Sequence, residues 1–173
     1  MTIEKSLQEQ IDRVTAAAAE HAERVDAGGS FPQATVDAFK QSGLGGLLSA
    51  TAVGGLGLGL AEAAHVVESL ARACASSAMV VCMHYAGAIV LEKFGDDATR
   101  AQIAKGQHLT TLAFSEQGSR GQFWAPVSSA EPGKSGVVLN AHKSWVTSAH
   151  HADSYVWSSR PLAAAGASTL WLV

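Results

Sequence analysis

The sequence predicts an α+β fold in which a helical region is followed by a region of short strands. Apolar residues in the first part of the chain recur at steps of three and four, which is typical of amphipathic helices. From Leu109 onward the segments are short, rich in β-branched and aromatic residues, and separated by turn residues. Helices followed by strands indicate an α+β protein or two sub-domains, with predicted domains at residues 1–107 and 108–173.

Two helices are predicted before residue 43. The apolar stripe of the first consists of Ile3, Leu7, Ile11, Val14, Ala18 and Val25. Gly28 and Gly29 end this helix, and Pro32 suits the first turn of the next one, which Gly43 ends.

Seven glycines lie between residues 43 and 59, and they include the sequence Gly-Gly-Leu-Gly-Leu-Gly. A dinucleotide-binding loop follows a parallel strand, whereas here a helix precedes the glycines. We therefore interpret the segment as a connector between helices, because glycine mostly serves tight turns.

Three more helices are predicted. The first two lie at about residues 60–74 and 77–93, and the third is a short helix that Asp96 and Asp97 cap and that ends near Gly106. The second of these is apolar nearly all round, which predicts a buried helix. Its apolar stretch, Ala78–Leu91, is shorter than a membrane span requires and contains His84, for which we expect a hydrogen-bonded place in the core.

Six strands are predicted after the helices, at Leu109–Ser115, Ala125–Ala130, Val137–Asn140, Lys143–Thr147, Ser154–Ser158 and Ser168–Val173. The chain ends inside the last of them. An exposed apolar edge strand favours unwanted pairing, so we expect that further chain or a partner covers this edge.

Composition excludes several classes of function. The 173 residues are 47% hydrophobic with a net charge of −3, and no basic stripe supports nucleic-acid binding. Cys74 and Cys82 lack metal-ligand spacing, and adjacent His150 and His151 on a strand would point apart, so no metal site is expected. The charged amino terminus is not a signal peptide, and we expect a cytoplasmic protein that does not enter membranes.

Two segments carry candidate chemistry. In residues 112–121 a predicted strand ends in Ser115 and Glu116 and then enters a glycine-containing loop, whose backbone N–H groups suit an anion. In residues 143–153 a predicted strand places Trp145 and Thr147 on one face. A large ring beside a hydroxyl suits a flat heteroaromatic cofactor.

These segments resemble the two middle-domain signatures of the acyl-CoA dehydrogenase family. The resemblance lies in Ser115-Glu116-Gln117-Gly118, in Lys143-Ser144-Trp145-Val146-Thr147-Ser148, and in Ala152-Asp153. Earlier parts of the chain agree in order, namely Gly54-Gly55-Leu56-Gly57 and the pattern His84, Ile89, Phe94-Gly95 and Gln102. The resemblance therefore covers almost the whole chain.

The resemblance implies FAD, held between an amino-terminal helical domain and an antiparallel β-barrel middle domain that is incomplete here. It implies that Leu112–Ser115 bind the pyrimidine edge of the flavin, that Trp145 lies against the isoalloxazine, and that Thr147 bonds near its reactive nitrogen. The implied cofactor-binding residues are Leu112, Phe114, Ser115, Gly121, Trp145, Val146 and Thr147.

The chain departs from the family pattern at two points. Where the family has Gly-Ser-Asp, this chain has Arg120-Gly121-Gln122, so Ser119 or Arg120 would have to replace a phosphate-binding serine. Phe123 and Trp124 are bulky for a place near a substrate channel. The family's catalytic base belongs to a carboxy-terminal helical domain, and we expect Glu116 to support its loop instead of filling that role.

The implied reaction is the α,β-dehydrogenation of an acyl thioester with FAD as hydride acceptor, and no catalytic residue is assigned in this chain. We expect the chain alone to be inactive without a carboxy-terminal region. Two alternatives stay open: a flavin-dependent monooxygenase of the same superfamily, for which FMN would also serve, and a non-catalytic assembly module. The expected partners are an acyl-CoA or related small molecule and either further copies of the chain or a complementing chain.

Overall fold

The computed structural model describes residues 4–119, 122–163 and 165–173. In this part of the chain, five α-helices precede five strands. The helices are α1 (Lys5–Gly28), α2 (Gln33–Ser42), α3 (Leu60–Ala73), α4 (Ala75–Phe94) and α5 (Asp97–Ala104). The strands are β1 (Thr110–Ala113), β2 (Ser129–Pro132), β3 (Val137–Asn140), β4 (Ser154–Ser159) and β5 (Thr169–Leu172). The predicted α+β order is confirmed, while the domain boundary near Gln107 stays a prediction.

The main hydrophobic core lies among α1, α2, α3 and α4. The apolar stripe predicted for α1 is buried at Leu7, Ile11, Val14, Ala18 and Val25, whereas Ile3 lies outside the described residues. Gly29 adopts a left-handed conformation directly after α1 and ends the helix as expected.

The glycine-rich segment forms a connector between α2 and α3 that contains two 3₁₀ turns, Leu44–Gly46 and Thr51–Val53. Its amides are used within the segment itself, since Gly55 N–H donates to the Ala50 carbonyl at 3.0 Å and Gly57 N–H donates to the Ser49 carbonyl at 2.9 Å. This closed hydrogen bonding confirms the connector interpretation.

Helix α4 joins the helical part to the sheet. It contacts α3 on one side and β1 on the other, and Gly87 permits the contact with β1 because a Cβ there would lie 2.9 Å from Thr110 Cγ2. The helix has 20 residues, so by length and composition it could cross a membrane, and half of its most apolar window is buried. The helix packs into the core through residues that include Val81, His84 and Ala88, as predicted, and the expectation that it does not span a membrane stays a prediction.

The strands form a three-stranded sheet in the order β1-β4-β5 and a separate β2-β3 hairpin, and neither sheet is closed. Strands β4 and β5 are antiparallel, as are β2 and β3, but β1 pairs with β4 in parallel. The predicted antiparallel pattern was therefore wrong for β1. Between residues 114 and 153 the chain returns to the end of the sheet where β1 begins, so β4 runs in the same direction as β1.

Candidate functional site

The two segments singled out from the sequence lie side by side at the end of β1. Glu116 and Lys143 form an isolated antiparallel bridge, and Ser144 N–H donates to the Ser115 carbonyl at 2.8 Å. The fold thus brings together residues that are almost thirty positions apart in the chain.

Lys143 is the centre of this contact. Its ammonium donates to the Ser158 carbonyl at 2.6 Å, to Ser158 Oγ at 3.2 Å and to the Phe114 carbonyl at 3.5 Å, and it lies 3.6 Å from Glu116 Oε2. The Lys143 side chain is only 3% exposed. Burial lowers the pKa of Lys143, although the neighbouring Glu116 carboxylate opposes this effect. One buried cation therefore ties together the ends of β1 and β4 and the loop at Glu116.

Glu116 serves its own loop, as expected. Its Oε1 accepts hydrogen bonds from the amides of Val127 at 2.8 Å and Ser128 at 3.3 Å. Burial raises the pKa of Glu116, but the hydrogen bonds from Ser128 and Val127, together with Lys143, outweigh burial and lower it overall. The carboxylate is thus stabilised in its charged form, which suits an anchor and does not suit a proton acceptor.

Trp145 departs from the prediction. Lys143–Thr147 is not a strand, because Trp145 has φ of 58° and lies in the left-handed region, with Ser148 at 62° and His150 at 70° close behind. Trp145 and Thr147 therefore do not share the face of a strand. The Trp145 side chain is 94% exposed, so no packing within the chain explains the strained backbone.

Two cavities flank this turn. The first has a volume of about 640 Å³ and is lined by Ser115, Glu116, Gln117, Gly118, His142, Ser144 and Trp145. The second has a volume of about 560 Å³, and its lining includes Lys143, Val146, Tyr155 and Trp157. His142, which the sequence did not single out, lines both cavities.

The predicted cofactor-binding residues are only partly brought together. Ser115 and Trp145 line the first cavity, and Val146 lines the second. Leu112 and Phe114 pack against the core cluster that contains Ala88 and Leu91 from α4.

Of the other two residues, Thr147 is half-buried and lines neither of these cavities, and Gly121 lies outside the described residues. Sequence reasoning also missed the role of Lys143. The position of Lys143 at the start of the second signature was the sequence feature that could have pointed to it.

Comparison with known proteins decides the family. Residues 3–107, more than half of the chain, match the acyl-CoA dehydrogenase, N-terminal domain. The chain belongs to the acyl-CoA dehydrogenase family. It is 31% identical over 148 residues to the mitochondrial isovaleryl-CoA dehydrogenase of Arabidopsis thaliana, an alignment that covers 80% of this chain and 36% of that protein.

Solved structures show that the fold of this family member matches part of the fold of larger proteins. Butyryl-CoA dehydrogenase from Megasphaera elsdenii superposes with a TM-score of 0.82 at 18% identity, over 100% of this chain and 49% of that one. TdsC from Paenibacillus sp. A11-2, in complex with FMN and indole, superposes with a TM-score of 0.81 at 20% identity, over 98% and 44% of the two chains. The chain thus spans between about a third and a half of the proteins that it matches.

No group of three or more His, Cys, Asp or Glu side chains able to hold a metal occurs among the described residues of this acyl-CoA dehydrogenase family member. The paired histidines have separate surroundings. His151 stacks on Phe31 with ring centroids 3.8 Å apart, whereas His150 lines the second cavity.

His84 is the hydrogen-bonded core histidine that the sequence predicted. Its Nδ1 accepts from the Thr110 amide at 3.3 Å, so its Nε2–H is the donor to the Gly45 carbonyl at 3.0 Å. Burial lowers the pKa of His84 from 6.5 to about 4, although the hydrogen bond to Gly45 opposes this shift. The neutral ring joins α4 to β1 and to the glycine-rich connector.

The stability of the chain is expected to fall between pH 6.5 and pH 4 because of His84. The folded-state pKa is below the unfolded value, so the contribution is present above pH 6.5 and is lost as pH falls toward 4. The full loss is about 3 kcal/mol at 1.36 kcal/mol per pKa unit. Denaturant unfolding across this range should show a fall that is about 3 kcal/mol smaller in His84→Gln, since glutamine does not titrate.

Carboxylates titrate in both wild type and His84→Gln, so their contribution cancels when the pH-dependent changes in the free energy of unfolding are subtracted. Burial also lowers the pKa of His108, so His108→Gln is a second control that should remove a separate part of the fall. An equal dependence on pH in wild type and His84→Gln would contradict the assignment.

Proposed function

We propose that this chain is the flavin-binding part of an acyl-CoA dehydrogenase-like oxidoreductase that removes hydrogen from the α and β carbons of an acyl thioester, with FAD as hydride acceptor. The observation that carries the proposal is the exposed Trp145 indole, held on a strained turn beside the strand end at Ser115. Family membership supports the same reaction class.

The residues at the first cavity fit a flat heteroaromatic group. An exposed indole offers a large apolar face at low conformational cost, and cofactor pockets combine such faces with a few polar groups. Here Ser115, Ser144 and His142 supply the polar groups around Trp145. Trp145 would contact the ring system and Ser115 would bind its polar edge, while the bound FAD would supply the hydride-accepting chemistry.

The catalytic base is a separate part of the proposal. Glu116 is the only carboxylate among the described residues that line these two cavities, and both of its oxygens are held by neighbouring groups. A base must reach the proton that it removes. We therefore propose that this chain alone binds flavin but does not oxidise a thioester.

Titration of FAD with the 173-residue chain tests the proposal. We expect saturable, one-to-one quenching of flavin fluorescence, followed by no bleaching of the flavin absorbance when butyryl-CoA is added anaerobically. Absence of saturable binding would exclude the flavin role. Bleaching by butyryl-CoA would show that the chain contains a base that the cavities do not reveal.

A monooxygenase of the same superfamily is the second candidate. Phe114, Phe123 and Trp124 form a cluster of aromatic rings with successive centroids 5.4 and 5.0 Å apart, and Trp124 is exposed. Such a cluster favours a ring-shaped ligand over a linear acyl chain, and the solved TdsC complex contains indole. Preference for FMN over FAD, with rapid oxygen consumption by the reduced flavin, would favour this candidate.

An assembly role is the third candidate. A groove of about 470 Å³ between α3 and α4 has an almost entirely apolar lining that includes Leu60, Val67 and Ile89, and Leu172 on β5 is exposed. Exposed apolar patches of this kind mark interaction surfaces. Native mass measurement should show an oligomer or a complex with a complementing chain, whereas a monomer that turns over substrate would exclude this candidate.

A further inference from the structure

The turn that carries Trp145 is anchored at both ends. At its start, the Lys143 ammonium is surrounded by four oxygens from three residues, and Ser144 N–H donates to the Ser115 carbonyl. At its end, Asp153 N–H donates to the Leu109 carbonyl, and Leu109 N–H donates back to Asp153 Oδ2, both at 2.7 Å.

Between these anchors the backbone is held in an unfavourable form. Trp145, Ser148 and His150 all have positive φ, although none of them is glycine. Bulky side chains rarely adopt this conformation, which persists only where the surrounding structure enforces it. Since the Trp145 ring makes almost no contact with the rest of the chain, the enforcement does not come from the ring but from the contacts around it, which include the two anchors and the hydrogen bond from His150 N–H to Tyr155 Oη.

We propose that Lys143, through its ion pair with Glu116, is a positioning residue that fixes the backbone at Trp145 and so presents the indole to a planar ligand at the first cavity. This inference rests on the proposed function, since it takes the ligand to be the flavin. Lys143 does not itself line the first cavity, but Glu116, Ser144 and Trp145 do.

The chemistry of the anchor makes the inference specific. The ammonium satisfies two carbonyl oxygens, one hydroxyl and one carboxylate, so a methionine at this position would leave them without their donor. Glu116→Gln is a milder change, because the amide oxygen can still accept from Val127 and Ser128 while the negative charge is lost. Comparing the two variants separates the ion pair from the rest of the hydrogen bonding.

Fluorine NMR of the chain labelled with 5-fluorotryptophan tests the inference. The chain has four tryptophans, and the signal that is lost in Trp145→Phe identifies Trp145. In Lys143→Met and Glu116→Gln we expect that signal to shift or broaden. We also expect FAD affinity in Lys143→Met to fall by about tenfold or more, by analogy with the loss of metal affinity when the hydrogen-bonding partners of metal ligands are removed. Lys134→Met, at an exposed lysine after β2, is the matched control and should change neither.

The outcomes separate positioning from simple stability. If Lys143→Met and Glu116→Gln unfold more easily but keep the Trp145 signal and FAD affinity of wild type, the inference is overturned. If wild type binds no FAD, the proposed function fails, and the Trp145 signal in the two variants decides the positioning role by itself. If Lys143→Met does not fold, the Trp145 signal and the FAD affinity of Glu116→Gln decide between positioning and simple stability.

Discussion

Replacing Gly106 with alanine is expected to lower the free energy of unfolding by about 3 kcal/mol or more, as for overpacking combined with a left-handed non-glycine residue. Gly106 has φ of +69°, and a Cβ there would lie 2.2 Å from the Lys40 carbonyl oxygen and 3.0 Å from the Lys40 carbonyl carbon. These atoms belong to the backbone of α2 and cannot rotate away as a side chain could. Chemical denaturation followed by circular dichroism measures the loss.

Gly43→Ala is the matched control for this change. Gly43 also has a positive φ, of +81°, but nothing lies within 4 Å of a Cβ at that position. Its replacement should therefore cost only the left-handed conformation, about 1–2 kcal/mol. Equal losses in the two variants would show that the contact between Gly106 and Lys40 has no energetic consequence.

Trp145→Gly is expected to weaken FAD binding by at least about tenfold while leaving the free energy of unfolding unchanged or raising it by up to about 1 kcal/mol. The ring is exposed, so its loss removes almost no buried apolar surface. Glycine at φ of 58° avoids the left-handed cost of about 1–2 kcal/mol, which offsets the roughly 0.5–1 kcal/mol cost of ordering a more flexible residue. Flavin fluorescence titration and denaturant unfolding measure the two effects.

Two other tryptophan variants serve as controls for this result. Trp145→Phe retains a planar ring on the strained turn and should keep most of the FAD affinity. Trp171→Gly removes a half-buried ring whose Nε1–H donates to Ser159 Oγ at 2.8 Å, so it should lower stability. A clear loss of stability in Trp145→Gly would mean that the ring has a structural role in the chain.

The helical part of the fold was predictable because its signals are local. The stripe in α1 and the glycines after α1 and α2 depend on residues within one or two turns, and the structure agrees with each of them. Helix α4 was recognisable in the same way, from an apolar stretch whose residues include the buried Val81 and Ala88.

The site was predictable as a pair of segments but not as a geometry. The residues of the two signatures do meet, at Ser115 and Ser144. A strand through Trp145 was a reasonable prediction from β-branched and aromatic residues, but strand propensity is weak against tertiary contacts. Here the segment begins at a lysine buried against Ser158 and Glu116 and turns left-handed at Trp145 instead of continuing as a strand.

By itself the sequence determined the order of helices and strands, the family resemblance and the place of His84 in the core, because these depend on neighbouring residues and on motif order. Only the tertiary structure decided that β1 pairs with β4 in parallel, that Glu116 and Lys143 form a buried ion pair, and that Trp145 stands exposed on a left-handed turn. Each of these depends on groups from 15 to more than 40 positions apart, as in the contacts Lys143–Ser158 and Leu109–Asp153. No local pattern encodes such contacts, since their energy arises only when the chain has brought the partners together and removed water from between them.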